Sequence, residues 1–247
     1  MSELVHLVVE GSKDAYFLHE FLRQRFADEL TQESPKPDAD LSYKANELLT
    51  FLHHSGGRDV RYRICVNNGY KEEGNLKKWL SDADKHRKLV CTALIFDSDT
   101  TGSTADAGQD ERKKFLQGLI DKLLADNKRD KVDSAENTEI FLFPNPNQDG
   151  DLESIMEGMA RPVHRWYFSV CWRVFQLLLS LCSYLKLSNK SMIYDYVESM
   201  YAKTNRIARV KDYQGYNKNM RATGLWDWHA ESLKPLKDFL GGLLSKY

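Results

Sequence analysis

Apolar residues fall along the chain in two periods. Short, nearly continuous runs, Leu4–Val9 (LVHLVV), Leu89–Asp97 (LVCTALIFD) and Thr138–Phe143 (TEIFLF), are each followed by a segment with apolar residues at helical spacing. Continuous runs of this length, rich in β-branched residues, suit parallel strands covered on both faces, and the intervening 3.6-residue pattern suits crossover helices. Val60–Val66 (VRYRICV) alternates apolar and basic residues and predicts a further strand nearer a sheet edge. Helices are expected after Asp14, over Glu72–Ala83, from about Asp110 to Asp126, and from Gly150-Asp151-Leu152-Glu153 onward. The order β-α-β-α-β-α-β-α predicts an α/β fold, a Rossmann-like parallel sheet of about four strands flanked by helices.

Two segments depart from that rhythm. Residues 31–59 are polar, contain Pro35, Pro37, Gly56 and Gly57, and read as an insertion with one amphipathic helical segment near Tyr43–His54, leaving His53 and His54 as surface histidines. Beyond Pro162 strand signals disappear and helical patterns begin at Val163–Lys186. The chain therefore divides into an α/β domain, residues 1–158, and a helical C-terminal appendage, residues 159–247. The large apolar groups of Trp226–Phe239 predict that the tail docks back on the domain.

Composition adds a polarity to this division. The 247 residues carry a net charge of −1, yet residues 1–159 hold nine more acidic than basic residues and residues 160–247 eight more basic than acidic. An acidic, cation-binding half joined to a basic half suits a protein that acts on polyanions. Within the basic half, Tyr201–Arg221 interleaves Lys203, Arg206, Arg209, Lys211, Lys218 and Arg221 with Tyr213 and Tyr216. That pattern fits either nucleic-acid contact through phosphates and stacked bases or a solvated charged face. Cys65, Cys91, Cys171 and Cys182 lack metal-ligand spacing and sit in apolar contexts, so they read as buried thiols in a reducing compartment. With no signal-peptide pattern at the N-terminus and no membrane span, the expected location is cytoplasmic.

Candidate chemistry gathers where the predicted strands end. Asp97 and Asp99 close the longest run; in open parallel sheets ligands collect at the carboxyl ends of strands, and two converging carboxylates suit an oxygen-seeking cation such as Mg²⁺. The same residues, Asp-Ser-Asp-Thr-Thr-Gly, also serve as turn and N-cap vocabulary. Glu10 closes the first strand, and Asp14 lies in the following helical turn, either facing the same crevice or complementing the helix dipole. Lys13 can reach a phosphate or stay solvated. Asp151 and Glu153 suit an N-cap with a first-turn acid as well as they suit support of the site.

A strand ending in Glu10-Gly11-x-x-Asp14 and a later strand ending in Asp97-x-Asp99 resemble the Toprim domain of topoisomerases, primases and OLD-family nucleases. The resemblance covers residues 1–158, and the stretch Phe143–Glu153 with the Trp-containing tail is similar to stand-alone Toprim-like proteins of microbial genomes. It implies metal-dependent phosphodiester chemistry on nucleic acid. Asp97 and Asp99 would hold Mg²⁺ or Mn²⁺, Glu10 would be acid, base or further ligand, and Asp14 would support them. No topoisomerase nucleophile domain or primase zinc module accompanies the motif, which leaves hydrolysis, a nuclease activity, as the simplest reading. Two alternatives stand beside it. One is a partner-dependent metal- or nucleotide-binding effector that works with a protein such as an ATPase. The other is a phosphatase of the haloacid dehalogenase type, whose Asp-x-Asp-x-Thr motif Asp97–Thr101 resembles, with Asp97 as nucleophile.

Overall fold

The computed structural model describes residues 2–34, 49–81, 87–99, 106–145, 148–159 and 226–247, with scattered helical positions between 166 and 177. The chain forms two units, one of Met1–Asp151 with Lys234–Tyr247, the other of Leu152–Leu233. The first unit is a mixed α/β layer structure. Its strands are β1 (Ser2–Val9), β2 (Leu30–Ser34), β3 (Leu49–Ser55), β4 (Arg58–Val66), β5 (Arg87–Asp97) and β6 (Asn137–Phe143); its helices are α1 (Ser12–Arg25), α2 (Glu73–Trp79), α3 (Gln109–Arg129) and a C-terminal helix, Lys234–Lys246.

The six strands form one sheet in the order β2-β3-β4-β1-β5-β6. β4, β1, β5 and β6 run parallel to one another, while β2 and β3 are antiparallel additions beyond β4. The sheet therefore has six strands, not about four, and the two extra ones lie at the ends of the segment read as an insertion. Leu49–His54 is strand rather than the end of a helix. Its alternation is short but regular, with Phe51 and His53 buried and His54 exposed, and Gly56 and Gly57, at φ 58° and 78°, form the two-residue turn that pairs it with β4. His53 is consequently an inward residue, its ring 6.2 Å from that of Tyr62. β4 lies inside the sheet, between β3 and β1, because β3 covers the edge that its alternating basic residues suggested was open.

Pleating sends alternate side chains to two helical layers. Val8, Cys65, Leu94, Phe96 and Leu142 face α2 and α3, packing against Leu76, Trp79, Leu116, Ile120 and Leu123. On the opposite parity, Phe143 meets Phe17 of α1 edge-on at 6.1 Å and Phe141 meets Phe239 of the C-terminal helix at 5.2 Å. The Tyr62 hydroxyl donates to the Leu243 carbonyl at 3.3 Å, which ties the same helix to β4. In the second unit, α4 (Leu152–Met159) packs beside a 3₁₀ turn at Glu231–Leu233, and Gly158 allows the close approach: a Cβ there would lie 2.6 Å from Ser232 Oγ.

One polar residue breaks the apolar run of β1. His6 is 4% exposed, and its Nδ1–H donates to the Trp79 carbonyl at 2.8 Å, a carbonyl that also accepts from Thr92 Oγ1 at 3.0 Å. Burial lowers the His6 pKa to about 4, so the folded chain keeps a neutral ring where the unfolded chain, near 6.5, takes a proton. Stability is then fully present above pH 6.5, falls as pH drops through the window from 6.5 to 4, and levels off below it. The span corresponds to about 3 kcal/mol. Urea unfolding between pH 4 and 7 is expected to show this slope in the parent and a clearly shallower one in His6→Gln.

Candidate active site at the strand ends

β1 ends at Val9, and the half-buried Glu10 follows it out of the sheet. The turn after β4 is fastened beside it. Asn67 N–H donates to the Val9 carbonyl at 2.9 Å and Gly69 N–H to the Glu10 carbonyl at 3.0 Å. Asn68 and Gly69 occupy positive φ, 62° and 115°, as a tight reversal requires. The buried Asn67 amide locks the turn by donating from Nδ2 to the Gly69 and Glu72 carbonyls at 2.7 and 3.3 Å. On the other side, Asp14 Oδ2 accepts from Gly11 N–H at 2.7 Å. Asp14 thereby fixes the step from β1 into α1, satisfying an amide at the helix start.

Asp97 is the last residue of β5, 7% exposed and in register with Phe143. Because β1 and β5 are adjacent and parallel, with Val9 opposite Ile95, Glu10 and Asp97 leave neighbouring strands one register step apart. Ser98, fully buried, joins β5 to the loop after β6: its hydroxyl lies 2.8 Å from the Phe143 carbonyl and accepts from Gly150 N–H at 2.9 Å. Ser98's own carbonyl accepts from Gly108 N–H at 2.8 Å, and Asp149 Oδ1 accepts from Gln109 N–H at 2.8 Å, so the start of α3 is tied to the same two strand ends.

Asp99 sits at φ 57° in a bridge with Gly150 and pairs through Oδ2 with Nη2 of Arg112. Arg112 is fully buried in the first turns of α3. Its Nε donates to the Asp106 carbonyl at 3.2 Å, and its guanidinium carbon lies 3.5 Å from the centre of the Tyr70 ring. The Tyr70 hydroxyl donates to Asp106 Oδ1 at 3.2 Å, and Lys71 Nζ reaches Asp106 Oδ2 at 3.3 Å. Contact with Tyr70, and next with Asp106, holds the Lys71 ammonium above the usual lysine pKa.

The other expected residues are dispersed. Lys13 is half-buried in the first turn of α1, and Asp151 is half-buried immediately before α4. The side chain of Glu153, and the whole of Lys203, Arg206, Arg209 and Lys211, lie outside the described residues. Sequence reasoning passed over Arg112, Tyr70 and Ser98. The available signal was Arg112 four residues before Leu116, in the stripe of α3 that faces the core.

Among the described residues, no three His, Cys, Asp or Glu side chains gather into a group able to hold a metal ion. The donor chemistry still fits a hard divalent cation through Glu10 and Asp97. Mg²⁺ commonly takes only one or two protein carboxylates and completes its octahedron with water and substrate phosphate oxygens. Among the described residues, no helix is long and apolar enough to cross a membrane.

No protein-family model matches the sequence, and no curated protein matches it. Among solved structures, the chain is similar to hypothetical protein PH0156 from Pyrococcus horikoshii OT3, at 14% identity and a TM-score of 0.46, over 99% of this chain and 98% of that one.

The Ser98 hydroxyl holds the β5, β6 and Gly150 segments together from a buried position. Ser98→Ala leaves the Gly150 amide without its acceptor and is expected to cost about 1–3 kcal/mol. The urea midpoint is the check, and amide exchange at Gly150 should accelerate more than exchange in β1.

Proposed function

We propose that the strand ends form a divalent-cation site for phosphodiester chemistry on nucleic acid, most simply hydrolysis. The observation that supports this reading is the adjacency of β1 and β5, which brings Glu10 and Asp97 out of neighbouring parallel strands at their carboxyl ends. In this reading Glu10 and Asp97 hold Mg²⁺ or Mn²⁺. The cation supplies Lewis acidity toward a phosphoryl oxygen and a more acidic bound water.

This chain's own groups do the rest. Asp14, by holding the Gly11 amide, sets the direction in which Glu10 leaves the strand. The turn at Asn67–Gly69 fixes the same residue from the β4 side through its main chain. Lys71, 59% exposed beside this turn, offers an ammonium group to a substrate phosphate at the rim. The basic, tyrosine-containing stretch 201–221 adds longer-range attraction for a polyanion, an attraction that added salt weakens.

Supercoiled plasmid, linear duplex, single-stranded DNA and a structured RNA, each incubated with Mg²⁺, Mn²⁺ or EDTA, test the proposal. Cleavage of at least one substrate is expected with metal and not with EDTA. Glu10→Gln and Asp97→Asn are each expected to lower the rate by about a hundredfold or more. Absence of cleavage on all four substrates with both metals, from folded protein, overturns the stand-alone hydrolase reading.

A further inference from the structure

The Asp97-x-Asp99 pair invites the reading that both carboxylates face one cation. The structure gives the second a different obligation. Arg112 has no exposure to solvent, and a buried guanidinium without a counter-ion is among the most destabilising groups a fold can carry. Its remaining contacts are neutral: the Asp106 main-chain carbonyl and the Tyr70 ring. The Asp106 carboxylate, which lies close by, is engaged with the Tyr70 hydroxyl and the Lys71 ammonium. Among the described residues, Asp99 alone forms an ion pair with Arg112.

The backbone holds Asp99 to that task. At φ 57° its main chain lies in the left-handed region, which Asp tolerates better than most residues, and the bridge to Gly150 fixes it there. A cation drawn onto Asp99 would sit beside the guanidinium, where like charges repel. It would also weaken the pair that neutralises Arg112.

We infer that Asp99 is the fixed counter-ion of Arg112, and that the strand-end cation is held by Glu10 and Asp97 without it. The second half of this statement rests on the metal-dependent reading of the site; the first half does not. Asp99 is on this view a positioning residue. It keeps the start of α3, and with it the loop from Asp106, seated against the end of β5.

The test separates metal affinity from stability. Mn²⁺ alone is titrated calorimetrically into the parent, Asp97→Asn and Asp99→Asn, and urea unfolding in EDTA is followed for the parent, Asp99→Asn, Arg112→Met and the double variant Asp99→Asn/Arg112→Met. Asp97→Asn is expected to weaken Mn²⁺ binding at least about tenfold, while Asp99→Asn stays within about threefold of the parent. In EDTA, Asp99→Asn is expected to lower the unfolding midpoint clearly, and adding Arg112→Met to recover much of that loss, because the stranded charge is then gone. Equal weakening of Mn²⁺ binding by Asp97→Asn and Asp99→Asn overturns the assignment, and so does an Asp99→Asn midpoint equal to the parent's. Should Asp99→Asn fail to fold, a folded double variant supports the pairing and an unfolded one overturns it. A parent that binds no Mn²⁺ overturns the metal reading itself, while the unfolding series still decides the ion pair.

Discussion

The parallel pairing of β1 with β5 is the constraint on which the rest of this molecule depends. Both strands are buried from their third residue onward, so neither can carry a charge in that stretch without cost, and both are almost wholly apolar there, Leu4 to Val9 and Leu89 to Phe96. His6 is the single imidazole in β1, held neutral by burial, which outweighs the opposing effect of its hydrogen bond to the Trp79 carbonyl. Charged groups are thereby pushed to the point where the strands leave the sheet. Glu10 stands one residue beyond β1 and Asp97 is the last residue of β5, so the rule that makes the core also places an acid at the carboxyl end of each of two neighbouring strands.

The antiparallel strands β2 and β3 extend the same sheet for a different reason. β4 carries Arg61 and Arg63 between buried Tyr62 and Ile64, a pattern tolerable next to solvent but incomplete as an inner strand unless something covers its edge. β3 supplies that cover, with Phe51 opposite Tyr62 in register and its ring 5.3 Å from His19 of α1. Arg61 is then neutralised across β3 by Glu33 of β2 at 2.9 Å. The polar edge signal in β4 is real at the level of the residue; long-range pairing satisfies it, and that is invisible to a local window.

This explains which parts of the structure were legible. β1, β5 and β6 could be read to within two residues because a strand buried on both faces leaves an uninterrupted apolar run. α1 and α3 were read from helical spacing for the same reason. β3 was missed because Thr50, His53 and His54 dilute its alternation and Leu49, Phe51 and Leu52 also fit a helix; the Gly56-Gly57 turn was the decisive mark. The acids at Glu10, Asp14 and Asp97 were legible as strand-end and first-turn positions. Of their partners, the Gly11 amide on Asp14 has the i,i+3 spacing of a capping box, whereas the Gly69 amide on the Glu10 carbonyl joins segments that no spacing rule relates.

Arg112 shows most clearly where a periodicity argument stops. The core face of α3 runs Arg112, Leu116, Leu119, Ile120, Leu123, and a pattern of apolar letters discards its first member. That member is the one that lies level with the strand ends, where the apolar requirement relaxes and an acid is at hand. Three contacts accommodate it, Asp99 and the Asp106 carbonyl from the segment between β5 and α3 and the Tyr70 ring from the segment between β4 and α2. Neither of those segments has a regular element of its own at that point, so the guanidinium is what gives them a common attachment. A leucine at 112 would continue the stripe but leave the Asp99 carboxylate without its ion pair and its left-handed turn held by the bridge to Gly150. The charge at the head of α3 therefore joins two jobs: it completes the buried face of a helix, and it pairs with a carboxylate just beyond the end of β5.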